Sequence, residues 1–228
     1  MTDSPPLTLT LTLTPDDAVA FLAGHARALP AESGQRLAIG LAGGPGTGKS
    51  TLAAQLVATL NGATPGHAAL VPMDGFHMRQ ARLEALGLAA DKGAPHTFQG
   101  AAFADFLEHL KQAVGPVRGP GYSRKIEDVV EDDFTVAGDV RLLVVEGNYL
   151  LLPEAPWGRL RPLLDCAVFL ALPREIVRAR LLKRHAEAGL FSEERNRAHV
   201  ERVDLANYDL VTRTRPRADL AIDLNSQS

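Results

Sequence analysis

One cysteine, Cys166, stands alone among 228 residues, so no internal disulfide framework can form. Its neighbours Ala167, Val168 and Phe169 are apolar, which suits core packing in a reducing compartment better than catalysis. No stretch approaches the roughly 18 apolar residues that a membrane span requires. The N-terminal MTDSPP lacks the basic-then-apolar order of a secretory signal. These absences lead to the expectation of a soluble cytoplasmic protein with no membrane partner. No long basic run occurs and the formal net charge is −3, which argues against a nucleic-acid partner. Internal repeats and low-complexity linkers are also missing, and single α/β domains reach this length. Apolar residues make up 46% of the chain, enough for a real core. The arginines are unevenly spread. Arg174, Arg178, Arg180, Arg184, Arg195, Arg197, Arg202, Arg213, Arg215 and Arg217 all lie in the last third, where phosphates could use them.

The most informative run is GGPGTGKST, residues 43–51. Gly43, Gly48, Lys49 and Ser50 fit G-x-x-x-x-G-K-[ST], the phosphate-binding P-loop. The apolar stretch Leu37–Ala42 before it reads as a buried strand, and Leu52, Leu56, Val57 and Leu60 behind it recur at helical spacing. Gly43, Gly44, Pro45, Gly46, Thr47, Gly48, Lys49, Ser50 and Thr51 are therefore expected to wrap the phosphates of a nucleoside triphosphate. Glycine lets the backbone approach closely, and the amides point inward at the positive end of the helix dipole. Lys49 would reach the outer phosphates, and the Ser50 hydroxyl would ligate Mg²⁺.

Around this loop the chain alternates between strand and helix. Residues 7–14 (LTLTLTLT) have the period of a half-buried strand, or of an edge strand or ordered tail. Thr14-Pro15-Asp16-Asp17 looks like a capped helix start, with Val19, Leu22 and Leu29 along one side. Ala68–Met73, Val140–Val145, Cys166–Leu172 and Leu220–Leu224 join the P-loop strand as a parallel sheet of five. Phe103, Phe106, Leu107, Leu110 and Val114 mark an amphipathic helix, followed by a proline and glycine break at Gly115–Gly121 and an acidic segment. Pro173–Ala188 reads as one arginine-rich helix and Ser192 to about Thr212 as another. The expected fold class is an α/β, three-layer P-loop NTPase sandwich with a mostly parallel five-stranded sheet and a helical lid. Residues 1–35 would be a tail and capping helix. Residues 36–228 would be the P-loop domain, with its lid around 173–200. Gly43–Ser50, Asp74 and Glu146 all fall at predicted strand ends, where such sheets bind ligands.

The partners of the loop narrow the class. There is no N-K-x-D for guanine and no LSGGQ-type signature, and the strand LLVVEG ends in a lone Glu146. What remains is the layout of a small-molecule kinase. The segments VPMDGFHM (71–78), KGAPHTF (92–98), GPGYSR (119–124), VVEGNYLLL (144–152) and RARLLKRHAEAGL (178–190) resemble the phosphoribulokinase, uridine kinase and pantothenate kinase superfamily. The likeness is nearest to the branch labelled nucleoside kinase-like or fructose transport system kinase, and it covers roughly residues 36–224. It implies ATP and Mg²⁺ as cofactors and a small-molecule alcohol as acceptor, possible forms being a sugar, a nucleoside or a pantothenate-like compound. A homodimer is an allowed assembly.

The resemblance also assigns roles. Asp74 would be the base that accepts the alcohol proton, and bracing the Asp-Gly turn is its structural alternative. Glu146 would hold an Mg²⁺-bound water or the acceptor, rather than a structural salt bridge. Arg180 and Arg184, four apart on one helix face, would close over the transferred phosphoryl. His77, His96, Tyr122, Arg124, Asn148, Tyr149 and Asn207 fall in segments facing the acceptor, and Arg217 in the segment cradling adenine. Val203-Asp204-Leu205-Ala206-Asn207-Tyr208 departs from the family's Asn-Asp-x-x-Asn-Ala, which leaves acceptor contacts from that helix open. A rival of another class is a nucleotide sensor or regulatory ATPase. Lys49→Ala is expected to abolish nearly all ATP turnover, since no other residue would place a positive charge among the outer phosphates. A wild-type rate in that variant would overturn the P-loop reading.

Overall fold

The computed structural model of the protein describes residues 8–30, 35–189 and 192–225. Leu7 of the Leu/Thr run, the MTDSPP terminus and Leu190 of the expected lid lie outside them. The chain opens with β1 (Leu9–Leu13) and α1 (Pro15–Ala28), whose start is capped by Thr14 Oγ1 accepting from the Asp17 amide at 3.2 Å. β2 (Leu37–Ala42) feeds α2 (Lys49–Ala63), and β3 (Ala68–Pro72) runs into a 3₁₀ turn at Met73–Phe76. A short α3 (Gln80–Ala85) and two further turns lead to α4 (Gly100–Gln112). β4 (Val117–Ser123) and β5 (Asp128–Val136) form an antiparallel hairpin apart from the main sheet. The remainder is β6 (Leu142–Gly147), β7 (Cys166–Ala171), α5 (Arg174–Ala188), α6 (Glu193–His199), a π-helical turn at Val200–Asp204, α7 (Leu205–Thr212) and β8 (Leu220–Leu224).

The main sheet has the order β1-β8-β7-β2-β6-β3, with every neighbouring pair parallel. Side chains alternate between two buried faces. Ile39, Leu41, Val144 and Val168 pack with Leu22 of α1, Leu56 of α2 and Leu181 of α5. Ala38, Ala42, Leu143 and Val145 pack with Phe103 and Leu107 of α4 and with Tyr149–Leu152. Three layers result, and β2 sits centrally with β6 and β7 on its two sides. Its carboxyl end is therefore the crevice where connections diverge, the place such sheets reserve for ligands.

Four expectations need correction. The sheet has six strands, not five, because the Leu/Thr run pairs with β8 from Leu9↔Leu220 to Leu13↔Leu224. Alternation marked the run as strand-like but could not name a partner so far away in sequence. Gly115–Gly121 is largely strand: Pro120 sits at a register irregularity between Gly119 and Gly121, where a missing amide is tolerated. The acidic segment after it is β5, with Glu131, Asp132 and Asp133 exposed. Val114 lies beyond the end of α4 and is 91% exposed, so it is no part of that helix's buried face. The helix from Ser192 begins at the expected cap, where Ser192 Oγ accepts from the Arg195 amide at 3.3 Å, but the π turn splits it before α7.

Arg36 ties these parts together. It is 1% exposed and donates to the carbonyls of Val140 (3.1 Å), Leu110 (2.9 Å), Gly115 (3.3 Å) and Ala137 (3.0 Å). One guanidinium thus fastens the end of α4 and the base of the hairpin beside the start of β2. Arg36→Met keeps much of the volume but leaves buried carbonyls without donors, an expected loss of about 3 kcal/mol. Urea denaturation measures it, and an unchanged midpoint would remove Arg36 from this framework.

Candidate active site

The turn from β2 to α2 places the P-loop at the carboxyl edge of the sheet. Gly48 caps α2 with φ of 90°, a left-handed conformation that glycine adopts without strain. Lys49 follows as the first residue of the helix, 9% exposed, with Nζ 3.4 Å from the Gly44 carbonyl. Ser50 Oγ donates to Glu146 Oε2 at 3.1 Å across the gap between α2 and the end of β6. The 3₁₀ turn after β3 presents Asp74, and its neighbour Gly75 lies against the hairpin so closely that a Cβ there would stand 1.9 Å from the Pro120 carbonyl oxygen.

These elements enclose one large cleft of about 1040 Å³. It is lined by the P-loop residues Pro45, Gly46, Gly48, Lys49, Ser50 and Thr51, and by Asp74, His77, Tyr122, Arg124, Asn148, Arg180, Arg184 and Asn207. These lining residues come from six separate segments, while Glu146 is buried and is not among them. Arg180 hangs over the loop: a Cβ at Gly48 would meet its Nη1 at 3.6 Å. Gly43, Gly44 and Thr47 are buried within the loop, where Thr47 Oγ1 donates to the Gly44 carbonyl at 2.8 Å.

Other expected residues are placed differently. Tyr149 is fully buried and its hydroxyl donates to the Gly93 carbonyl, so it supports the 92–98 loop from behind. Asn207 lines the cleft, yet its Nδ2 donates to the same carbonyl at 3.1 Å. His96 is exposed, 3.6 Å from Asp91 and not among the lining residues. Arg217 is exposed in the turn before β8, away from the cleft lining. Cys166 is buried in the core, and burial raises its thiol to about 11. Sequence reasoning missed Lys92, Glu127, His185, His199, Arg202 and Asp204, which also line the cleft. Lys92 opens the KGAPHTF segment, a signal that was available. Glu127 stands at the tip of a hairpin that the sequence did not reveal.

The electrostatics follow from burial at a strand edge. Burial lowers the Lys49 pKa, while Glu146 and then Asp74 act to raise it and Arg184 and Arg124 to lower it. His77 is held neutral chiefly by burial, and its Nδ1 lies 2.8 Å from the Asp74 carbonyl. A carbonyl only accepts, so Nδ1 carries the proton and Nε2 remains an acceptor. The ring packs on Phe98 (centroids 3.8 Å apart) and Tyr122 (4.6 Å). Lys92 Nζ donates to Gln80 Oε1 at 3.0 Å and to the Glu127 carbonyl, and lies 5.6 Å from the Tyr122 ring centroid. Asn148 Oδ1 is buried with no partner among the described residues, an acceptor awaiting a donor.

Glu146 is pushed up to about 7, first by burial and then by the charge of Asp74, against the opposing pull of Lys49 and the Ser50 hydrogen bond. Between its ordinary 4.5 and about 7 the folded protein holds a proton that the unfolded chain has released. Nucleotide-free stability from this group therefore falls as pH rises through that window. Glu146→Gln cannot titrate and is expected to remove the slope. It should resist urea better than wild type at pH 8 and no better near pH 4.5. The same difference at both pH values would mean that the carboxyl is unperturbed.

No family model matches the chain. It is 34% identical over 195 residues to "Putative uridine kinase C227.14" of Schizosaccharomyces pombe, covering 82% of this chain and 83% of that protein. It is 35% identical over 196 residues to the uncharacterized protein YggC of Escherichia coli K12, covering 85% and 80%. Among solved structures it superposes on the "putative fructose transport system kinase" of Silicibacter sp. TM1040 with a TM-score of 0.81 at 34% identity, spanning 89% of this chain and 98% of that one. Among the described residues no helix is long and apolar enough to cross a membrane. With a P-loop, an all-parallel six-stranded sheet and relatives matched over most of their length, the chain belongs to the superfamily of P-loop kinases that includes the uridine- and pantothenate-kinase-like proteins.

Proposed function

We propose that the protein transfers the γ-phosphoryl of ATP to a hydroxyl of a small molecule, with a sugar as the leading acceptor class and a place in the fructose transport system kinase-like branch. The observation that carries this reading is the state of Asp74. Its carboxylate lines the same cleft as the phosphate loop, half-buried, and forms no hydrogen bond or ion pair among the described residues. A carboxylate that merely braced the Asp-Gly turn would bond to that turn. An unengaged one opposite a buried lysine suits a base that takes the acceptor's proton as the O–P bond forms.

The other residues divide by position. Loop amides and Lys49 bind the phosphates, while Arg180 and Arg184, both on the lining face of α5, neutralise charge on the transferred group. Burial lowers the Arg184 pKa first of all, with Asp204 opposing. A guanidinium in such surroundings gains most when an anion arrives. Arg124 at the hairpin tip lines the cleft, and its charge acts on Lys49, Arg184, Glu146 and Tyr122 alike. Ser50 Oγ and the Glu146 carboxyl are adjoining hard-oxygen donors that fit Mg²⁺, which supplies charge neutralisation between the outer phosphates when bound. His77 Nε2 and Asn148 Oδ1 offer acceptors for hydroxyl donors, the complement of a polyhydroxy substrate. A nucleotide sensor needs none of these acceptor-side groups.

The test pairs an acceptor screen with one variant. Sugars, other polyols, nucleosides and pantothenate are incubated with ATP and Mg²⁺, and a phosphorylated product is sought by mass shift. Asp74→Asn keeps the size and removes the base, an expected loss of about 10²–10⁴ in kcat, while calorimetric ATP affinity stays near wild type. Acceptor-independent hydrolysis with no phosphorylated product would favour the sensor. Loss of ATP binding in step with activity would make Asp74 a metal or structural residue.

A further inference from the structure

The lid wall of the cleft carries a second group of donors that phosphoryl transfer does not use. His185 in the last turn of α5, His199 at the end of α6 and Asp204 at the end of the π turn bring their ligand atoms within 4.8 Å of one another. His185 Nε2 lies 2.9 Å from Asp204 Oδ2, and the two imidazoles meet edge-on with centroids 5.5 Å apart. Asp204 is buried, both histidines are half-buried, and all three line the cleft.

A histidine–aspartate ion pair would need two of these residues and an ordinary helix. The structure holds a third residue and a rarer backbone. At about 3.6 residues per turn, positions five apart on an α-helix face nearly opposite ways, which would separate His199 from Asp204. The turn Val200–Asp204 is π-helical, with the Leu205 amide donating to the Val200 carbonyl, and that i→i+5 register returns the two to one face. The negative end of α5 points toward the group, which favours a cation there. Asn196 Nδ2 donates to the His185 carbonyl at 3.3 Å and holds α6 against α5. Arg202, a cation nearby, is committed to Asp91 at 3.3 Å and to the Ala90 carbonyl at 2.6 Å.

We propose that His185, His199 and Asp204 bind one divalent transition-metal ion of the zinc type, with its remaining coordination positions open to the cleft. Two imidazole nitrogens and a carboxylate oxygen form a donor set for Zn²⁺ or Co²⁺, and not for Mg²⁺, which selects oxygen. The site is therefore chemically distinct from the Ser50–Glu146 pair, and it does not depend on the kinase reading. Its ion would clamp α5 to the α6–π segment and present a Lewis acid to an oxygen of whatever occupies that end of the cleft.

Metal-stripped full-length protein is titrated with Co²⁺ by visible absorption and with Zn²⁺ by calorimetry, in the absence of nucleotide. One ion per chain and ligand-field bands are expected. His185→Ala and His199→Ala, with circular dichroism unchanged, should each lose at least the ~10–100-fold in affinity that removal of even a supporting contact costs at metal sites. His109→Ala, on the exposed face of α4, should bind as wild type does. Absence of stoichiometric binding to the wild-type chain overturns the proposal whatever the variants do. So does binding that survives His199→Ala unchanged, or that falls equally in His109→Ala.

Discussion

The Lys49 ammonium is held where its charge is least favoured. It is the first residue of α2, at the positive end of that helix's dipole, and it is buried at the edge of a low-dielectric sheet. Glu146 and Asp74 compensate from β6 and from the turn after β3. Glu146 is itself buried and accepts from Ser50, while the Asp74 carboxylate is half-buried and unengaged. Everything that positions the P-loop serves this arrangement. The glycine-rich loop brings backbone amides inward, β6 and β7 flank β2 in register, and α5 lays Arg180 above Gly48.

A different node in the cleft wall is the carbonyl of Gly93. Tyr149 from the end of β6 and Asn207 from α7 both donate to it. The adjacent Lys92 reaches Gln80 and the hairpin tip at Glu127 while passing over Tyr122. Four segments distant in sequence thus meet on a short loop, and that part of the cleft lining takes its shape from their packing. Residues first read as substrate ligands can therefore act through the loop they hold. Tyr149 has no face on the cleft at all, so its effect on an acceptor would be positional.

Much of the candidate site was legible because its residues sit in short motifs whose local backbone does the positioning. The P-loop needs only a strand, a tight turn and a helix in sequence, and all three were visible in the periodicity around residues 37–60. Asp74 and Glu146 were legible for a related reason, since Asp74 follows directly on one apolar strand and Glu146 stands at the end of another. The hairpin was not, because β5 is acidic and β4 contains Gly119, Pro120 and Gly121, a composition that reads as a break. The π turn was equally hidden. The apolar spacing around it reads as one continuous helix, and nothing in that pattern marks the wider turn. His96 and Arg217 show the converse case, where a residue inside a recognised segment turns away from the cleft.

By itself the sequence determined the parallel α/β architecture, the phosphate-binding turn and the two carboxylates at strand ends, since these follow from local periodicity and from where buried strands must stop. Only the tertiary structure decided that β1 completes the sheet as a sixth strand, because pairing with β8 joins residues some 210 positions apart. It also decided which cations face the cleft, that Tyr149 and Asn207 meet at the Gly93 carbonyl, and that His185, His199 and Asp204 come together. The physical reason is common to all of these: each depends on side chains from separate elements arriving at one place, and residue spacing along a chain carries no information about that arrival.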